Sequence, residues 1–451
     1  MESSLTLDKA ALKQVGQEPP ELPSLPSPAY ENGAPNRQAA NVVGALVMGG
    51  DYRALTVVRS LGRRGIPVWV LPEQQKIAAK SRYATKRHCL PTTSDDGQIA
   101  FLLALAEEHH LDGWVVFPTE DKHAALIAKH QRLLSRCFKL ATSDWDTVEA
   151  ACDKRASYRA ALKHGVDHPT TFYPCNRREV ESRDFAYPVI LKPAIKDLIN
   201  RFTQAKAWRV DSRDELLARY DEACSLLDPG LVMIQELIPG GGEAQFSYGA
   251  LCENGRPLAS IVARRTRQYP IDFGRSSSFV ESVDCAEVEQ AGQRLLMGLN
   301  YTGLMEVEFK YDRRDGRYKM IDLNPRVWGW HTLATLGGVD FPYFFWHLAQ
   351  HLPVPEIRVK PGYRWVRMTT DLPAAIHEIR RGTLSFGSYL RSLRSPLGYA
   401  VFAVDDPLPF LLEVPFLSLS RSALWLRELS GGAPGSIASP CDQKLRERRK
   451  I

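Results

Sequence analysis

Most signatures that would classify this chain quickly are missing from it. No apolar run approaches the roughly 20 residues a membrane span needs. None of its eight cysteines (Cys89, Cys137, Cys152, Cys175, Cys224, Cys252, Cys285 and Cys441) forms a C-x-x-C pair. That argues against a zinc site and against a disulfide framework. The opening M-E-S-S-L-T-L-D-K lacks the basic and apolar stretches of a signal peptide, so a cytoplasmic protein is expected. The Gly49-Gly50 pair does not make G-x-G-x-x-G, and no acid ends the second strand to hold a ribose. A plain strand-to-helix turn accounts for it better than a dinucleotide site. No Ser-His-Asp or Cys-His set stands out; His123, His164 and His331 read as core or surface side chains. The net charge of +6 over 451 residues is mild. A nucleic-acid binder would concentrate its charge in one stripe. Only the tail, K-L-R-E-R-R-K-I, is densely basic, and it reads as a solvated end.

What is present is globular. Hydrophobic residues make up 44% and charged residues 24%, which is ordinary for a soluble protein, and the length suggests two or three domains. Residues 1–40 hold Pro19, Pro20, Pro23, Pro26, Pro28 and Pro35 among Ser, Glu and Asn. With little to bury, they are expected to be disordered. Apolar runs at Asn41–Gly50, Pro67–Leu71 and Trp114–Phe117 alternate with helical stretches at Arg53–Arg64 and Gly97–His110. This βαβ series predicts a right-handed, open parallel sheet over residues 41–143. From about Asp144 the texture changes. A helix at Asp153–Lys163 ends on His164-Gly165. Strands follow at Tyr187–Pro193, Leu231–Leu237, Gln245–Leu251 and Pro257–Arg264, with Asn254-Gly255 as a hairpin turn. That is α+β texture, reaching to about residue 352. Residues 353–451 are poorly patterned beyond an apolar stretch at Pro407–Leu419, and no role is assigned to them.

The chemistry sits in G-L-M-E-V-E-F-K-Y, Gly303–Tyr311, and Y-K-M-I-D-L-N-P-R, Tyr318–Arg326. Alternation puts Met305, Val307, Phe309 and Tyr311 on one face and Glu306, Glu308 and Lys310 on the other. A turn at Asp312–Gly316 folds the chain back. The simplest register then sets Glu308 opposite Asp322 and Glu306 opposite Asn324. Like charges so placed destabilise a sheet, and one carboxylate is forced towards its protonated form. A divalent cation between them resolves the conflict. Oxygen-only ligands suit Mg²⁺, which keeps positions open for phosphate oxygens. Arg326 would meet the same phosphates. The competing reading is a solvated polar face.

E-V-E-F-K followed by I-D-L-N-P-R resembles the metal-binding signature of the ATP-grasp superfamily, which clamps ATP between two lobes behind an open α/β domain. Four further segments match in order. D-K-R-A-S-Y-R-A-A-L-K-H-G-V places Lys154 at the family's first lysine, and Y-P-V-I-L-K-P places Lys192 at its second. M-I-Q-E-L-I-P-G resembles the hinge strand, and G-G-G-E follows it. The resemblance implies that the backbone of Glu236 and Ile238 reads adenine beside Gln235, and that Glu243 holds the ribose. It implies Glu308, Asp322 and Asn324 as Mg²⁺ ligands, with Mn²⁺ as a substitute, and Arg326 as the closing arginine. The fold expected is therefore α/β plus α+β: an N-terminal open parallel sheet, then a two-lobed ATP-grasp domain over 144–352. Two departures stand out. The stretch after Lys192, A-I-K-D-L-I-N-R-F-T-Q-A, has no glycine, so Lys196, Asn200 and Arg201 either replace the usual loop amides or leave the lid without a phosphate role. Asp322 stands where many members carry the longer glutamate.

Within the superfamily, M-G-G-D-Y-R-A-L-T, K-S-R-Y, R-Q-Y-P-I-D-F-G-R-S-S-S and G-W-H-T-L-A-T-L-G-G-V-D-F-P-Y resemble the D-aspartate ligase-like carboxylate–amine ligases, with carbamoyl phosphate synthase as a more distant relative. This implies ligation of a carboxylic acid to an amine through an acyl phosphate, with release of ADP and phosphate. An ATP-binding protein without catalysis is the rival. For the acceptor site the expectation falls on Arg264, Arg265 and Arg267, with Arg265 and Arg267 as catalytic beside Arg326, and with Ser276, Ser277 and Ser278 in the same loop. A solvated basic loop is the alternative. Trp328, Trp330 and His331 either wall the amine pocket or pack in the core. Neither nucleic acid nor a membrane span is expected; a homodimer stays open.

Overall fold

A computed structural model of the protein describes residues 43–417 apart from 75, 196–199, 272, 273 and 275. The proline-rich segment, Lys196 and the basic tail lie outside the described residues. Five short strands come first: β1 (Ala45–Met48), β2 (Val68–Leu71), β3 (Lys86–Arg87), β4 (Trp114–Pro118) and β5 (Phe138–Lys139). They form a parallel sheet in the order β3-β2-β1-β4-β5. The residues of β1 and β2 are wholly buried, which is why they read as continuous apolar runs. Asp51 caps the helix Tyr52–Gly62, and Ser94 caps Asp95–His109. The strand order reverses between β1 and β4, so the chain leaves their carboxyl ends in opposite directions and a crevice opens there.

A second, antiparallel sheet joins β6 (Thr171–Phe172), β7 (Val189–Pro193), β8 (Trp208–Val210) and β9 (Val232–Glu236) in the order β6-β9-β7-β8. Helix Arg213–Cys224 covers it with Leu216, Tyr220 and Ala223. A third sheet of eight strands holds β10 (Gln245–Glu253), β11 (Arg256–Tyr269), β12 (Ser276–Ser282), β13 (Gly303–Asp312), β14 (Arg317–Asn324), β15 (Ile357–Arg358), β16 (Arg364–Val366) and β17 (Leu397–Tyr399). Its main path runs β14-β13-β10-β11-β12-β16-β17, with β15 on β11. Asn254 and Gly255 both take positive φ in the β10–β11 turn, as a tight hairpin requires. Helix Ala286–Gly298 seals the apolar face, setting Val288 and Leu295 among Tyr248, Val307, Phe309 and Met320. Among the described residues no helix is long and apolar enough to cross a membrane.

The register at the chemical end of the β13–β14 hairpin is the expected one: Glu308 faces Asp322 and Glu306 faces Asn324. Nearer the turn it is offset by one, Phe309 facing Met320, so Ile321 is a bulge residue. The bulge lets Met320 enter the core while Asp322, two residues on, faces the opposite side. A second irregularity, around Thr266 in β11, separates Arg265 from Arg267 in the same way. The serines expected in a loop lie in strand β12, with Ser277 and Ser278 buried.

The C-terminal region is part of this architecture. β16 and β17 extend the large sheet, and helix Met368–Arg380 packs on β11. Arg59, on the first helix, forms a buried ion pair with Asp406 at 2.9 Å and donates to Val401 O and Asp406 O. No periodicity signals such contacts, because each partner lies more than 300 residues away in sequence.

Candidate active site

The two α+β sheets face each other across a cleft of about 410 Å³, within the range of small-molecule sites. Lys154, Lys192, Arg265, Glu308, Lys310 and Asp322 line it, together with the strand end Gln235–Ile238. Lys154 is the first residue of the helix Lys154–Lys163, and Asp153 caps that helix by accepting from the Arg155 amide. The Lys154 amide donates to Ala194 O, so the helix start is stitched to the end of β7, where Lys192 stands. The Lys154 ammonium meets Asp322 Oδ1 at 2.5 Å, and Lys192 Nζ donates to Gln235 Oε1 at 3.5 Å.

On the β13–β14 face, carboxylates are crowded. Glu306 is 4% exposed. Burial first, and then the charge of Glu308, push its carboxyl well above the usual carboxylate range. The Asn324 amide nitrogen donates to both acids, at 3.1 Å to Glu306 and 2.9 Å to Glu308. Trp330 Nε1 donates to Glu306 at 2.7 Å, and Arg265 reaches Glu308 at 3.3 Å. Among the described residues no group of three His, Cys, Asp or Glu side chains surrounds one point. A cation here would therefore draw its third donor from the Asn324 amide. The donor set fits a hard divalent ion: all-oxygen ligands crowded on one face.

The hinge end is built to hold its backbone still. The Glu236 amide donates to Thr170 O, and its side chain accepts from Lys319, Arg314 and the Thr170 amide. These partners hold its carboxyl below the ordinary value despite burial, which works in the other direction. Gln235 donates to Tyr158 Oη and Thr171 Oγ1. Tyr158 in turn donates to the carbonyl of the bulge residue Ile321. Ile238 is buried. Glu243 is exposed beside the cleft rather than lining it, and its carboxylate accepts from the Gly241 amide.

Arg326 leads out of the cleft to the first sheet. It donates to Asn324 Oδ1 at 3.0 Å and pairs with Asp121 at 2.9 Å. Asp121 begins the helix that follows β4, at the crevice where strand order reverses. Asp51, Arg53, Glu73, Lys76, Glu120 and Lys122 form a mixed-charge network there. The Asp51 carboxyl is half-buried, which raises its pKa, yet Arg53 holds it at about 2.

Arg267 lies elsewhere. It does not line the cleft. It is 3% exposed and forms a two-pronged pair with Asp371, at 2.8 and 2.9 Å, stacked against Phe279 and Tyr389. The bulge at Thr266 turns it away from Arg265. Arg264 pairs with Glu281. Trp328, Trp330 and His331 are buried. His331 bridges Thr56 Oγ1 and Trp328 O, so these three are packing residues. In the glycine-free lid, Asn200 caps a short helix and Arg201 pairs with Glu222 on the surface. Thr203, Gln204 and Lys206 line the cleft instead. Nothing in the sequence distinguishes these three from their neighbours. Lys310, by contrast, falls on the Glu306–Glu308 face by simple alternation.

No family model matches the chain. A D-aspartate ligase from Enterococcus faecium is 25% identical over 262 residues, covering 54% of this chain and 62% of that protein. The chain thus spans less than two thirds of that curated relative. An L-amino acid ligase from Bacillus licheniformis superposes with a TM-score of 0.56 at 14% identity, over 71% of this chain and 78% of its own. An N5-carboxyaminoimidazole ribonucleotide synthetase in complex with ADP superposes with a TM-score of 0.58 at 16% identity, over 75% and 85%. The chain has the ATP-grasp fold.

Proposed function

We propose that this protein is an ATP- and Mg²⁺-dependent ligase that joins a carboxylic acid to an amine through an acyl phosphate, in the cytoplasm. One observation carries the reading. A single cleft is lined by Lys154 and Lys192, by Glu308 and Asp322, and by the end of a hinge strand whose Gln235 and Glu236 side chains are held in hydrogen bonds. Lysines act as point charges for phosphates. The strand end offers main-chain groups for a planar base. The D-aspartate ligase and the L-amino acid ligase, by their names, act on amino acids, which supports an amino acid as one substrate here.

In this reading Lys154 and Lys192 hold the triphosphate, and Gln235, Glu236 and Ile238 position the adenine. Glu243 stands beside the cleft for the ribose. Glu308, Asp322 and Asn324 would hold Mg²⁺, which neutralises phosphate charge and orients the transferred group. The acid's carboxylate oxygen takes the γ-phosphoryl group, and the bond to the β-phosphate breaks to free ADP. The amine nitrogen then bonds to the acyl carbon, phosphate leaves, and the nitrogen loses its proton. Chemistry of this kind demands positioning and charge compensation rather than a protein nucleophile. Arg265 faces the cleft, where it can hold the acid. Arg326 joins the acidic face to the crevice at Asp121, which favours the first-sheet side for the amine.

The test is ADP release from Mg-ATP with a panel of amino acids and acidic metabolites, singly and in pairs. Release that needs both an acid and an amine supports the ligase. Release with an acid alone, giving a stable phosphorylated product, would replace it with a kinase.

A further inference from the structure

The exposed apolar surface of this protein is concentrated in its C-terminal region. Among the described residues, eleven of the fifteen exposed large apolar side chains lie between 372 and 417. Four of them are ordered by two neighbouring helices. On Met368–Arg380, Leu372, Ile376 and Arg380 are exposed at successive spacings of four. On Phe386–Ser392, Phe386 and Leu390 are exposed at the same spacing, and Arg394 follows four residues later. Both helices are anchored from beneath at one point. Asp371 of the first grips Arg267, while Tyr389 of the second stacks on that guanidinium and Ser392 accepts from it. Their buried faces are fixed inward, and the Leu-Ile-Arg and Phe-Leu-Arg faces remain outward. Phe386 is 64% exposed and Leu390 50%. Arg381 and Arg391 stand exposed beside them.

Charge decides what covers this face. Residues 353–417 carry eight Lys and Arg against six Asp and Glu, and Arg380, Arg381, Arg391 and Arg394, all exposed, stand on or beside this face. The preceding 352 residues balance at 43 of each sign. Residues 418–451 carry seven Lys and Arg against three Asp and Glu, so the chain's own tail would bring like charge to like. A second copy docked about a two-fold axis would do the same. Nucleic acid supplies negative charge but no apolar phase for Phe386 and Leu390. An anionic phospholipid surface supplies both: acyl chains for the apolar residues, and head groups for arginines that extend upward along the helix faces. We propose that the paired helices Met368–Arg380 and Phe386–Ser392 seat this protein peripherally on an anionic membrane surface. The proposal is independent of the ligase reading.

The experiment is co-sedimentation of the full chain with phosphatidylcholine vesicles, with and without phosphatidylglycerol. Binding is expected only with phosphatidylglycerol and should weaken at high salt. The double variant Phe386→Ser/Leu390→Ser should lower the bound fraction by about tenfold with unchanged circular dichroism. In the Phe386→Trp variant, anionic vesicles should shift the added tryptophan's emission to the blue. Equal binding by the double variant would overturn the proposal, as would binding abolished by Arg446→Gln/Arg448→Gln/Arg449→Gln alone. So would a dimer that the double variant dissociates while no vesicles bind, which would assign the face to a second copy.

Discussion

On one side of β11, Arg267 meets Asp371 with two matched contacts, an aromatic ring on each flank and almost no exposure. On the β13–β14 face, Glu306 and Glu308 crowd one amide, and Lys154 is drawn in from another element to meet Asp322. Both are buried charge clusters on the same sheet. The first is complete. Every charge has its counter-charge, and nothing further is needed. The second is crowded: Lys154 and Arg265 answer Asp322 and Glu308, while burial and the neighbouring Glu308 charge drive Glu306 towards its protonated form. The difference separates structure from function. A satisfied pair fixes where a helix sits, whereas a frustrated cluster awaits a ligand that completes it.

The largest effect should fall on turnover at the frustrated face. Asp322→Asn or Glu308→Gln removes one charge without a cavity. Each should cut Mg²⁺-dependent ADP release by about a thousandfold or more, on the order of 4–5 kcal/mol, while thermal unfolding stays within a few degrees of the parent. The satisfied pair should behave in the opposite way. Arg267→Ala leaves Asp371 buried and alone and should cost about 3–5 kcal/mol in denaturant unfolding. The double variant Arg267→Met/Asp371→Leu should recover most of that loss. No recovery would mean the pair contributes more than charge balance.

The next effect is on pH. Burial holds the His331 imidazole at about 4, so the folded protein keeps it neutral while the unfolded chain binds a proton near 6.5. Its contribution is fully present above pH 6.5 and is lost as pH falls from there to about 4, a change of roughly 3 kcal/mol. Denaturant unfolding across that window should show the slope, and His331→Gln should flatten it. The smallest effect is on the surface. Arg201→Ala breaks an exposed pair with Glu222 and should change stability by less than about 0.5 kcal/mol, with no loss of turnover. A large loss there would return Arg201 to the lid's phosphate machinery.

These clusters were unequally legible in the sequence. Alternation in Gly303–Tyr311 puts Glu306 and Glu308 on one face and makes Asp322 their natural partner, but the turn's own register would set Glu308 opposite Ile321, and it is the bulge there that brings Asp322 into place. The first sheet announces itself through buried apolar runs. Arg267 departs from the expected acceptor site for a physical reason. Alternation places it on the face of Arg265, and the bulge at Thr266, which leaves no trace in residue type, sends it to the other side. Its partner Asp371 lies 104 residues away in a region without clear periodicity. The pairing of Arg59 with Asp406, 347 residues apart, is hidden in the sequence for the same reason. The lid residues Thr203, Gln204 and Lys206 reach the cleft only through the course of the backbone.

The most direct measurement is calorimetric titration of the wild type and of Asp322→Asn with ATP, in Mg²⁺ and in EDTA. Wild type should bind ATP at least about tenfold more tightly with Mg²⁺, a difference of about 1.4 kcal/mol, and Asp322→Asn should lose that difference while still binding the nucleotide. Equal affinity of the wild type with and without Mg²⁺ would contradict the claim that the crowded acids await a cation.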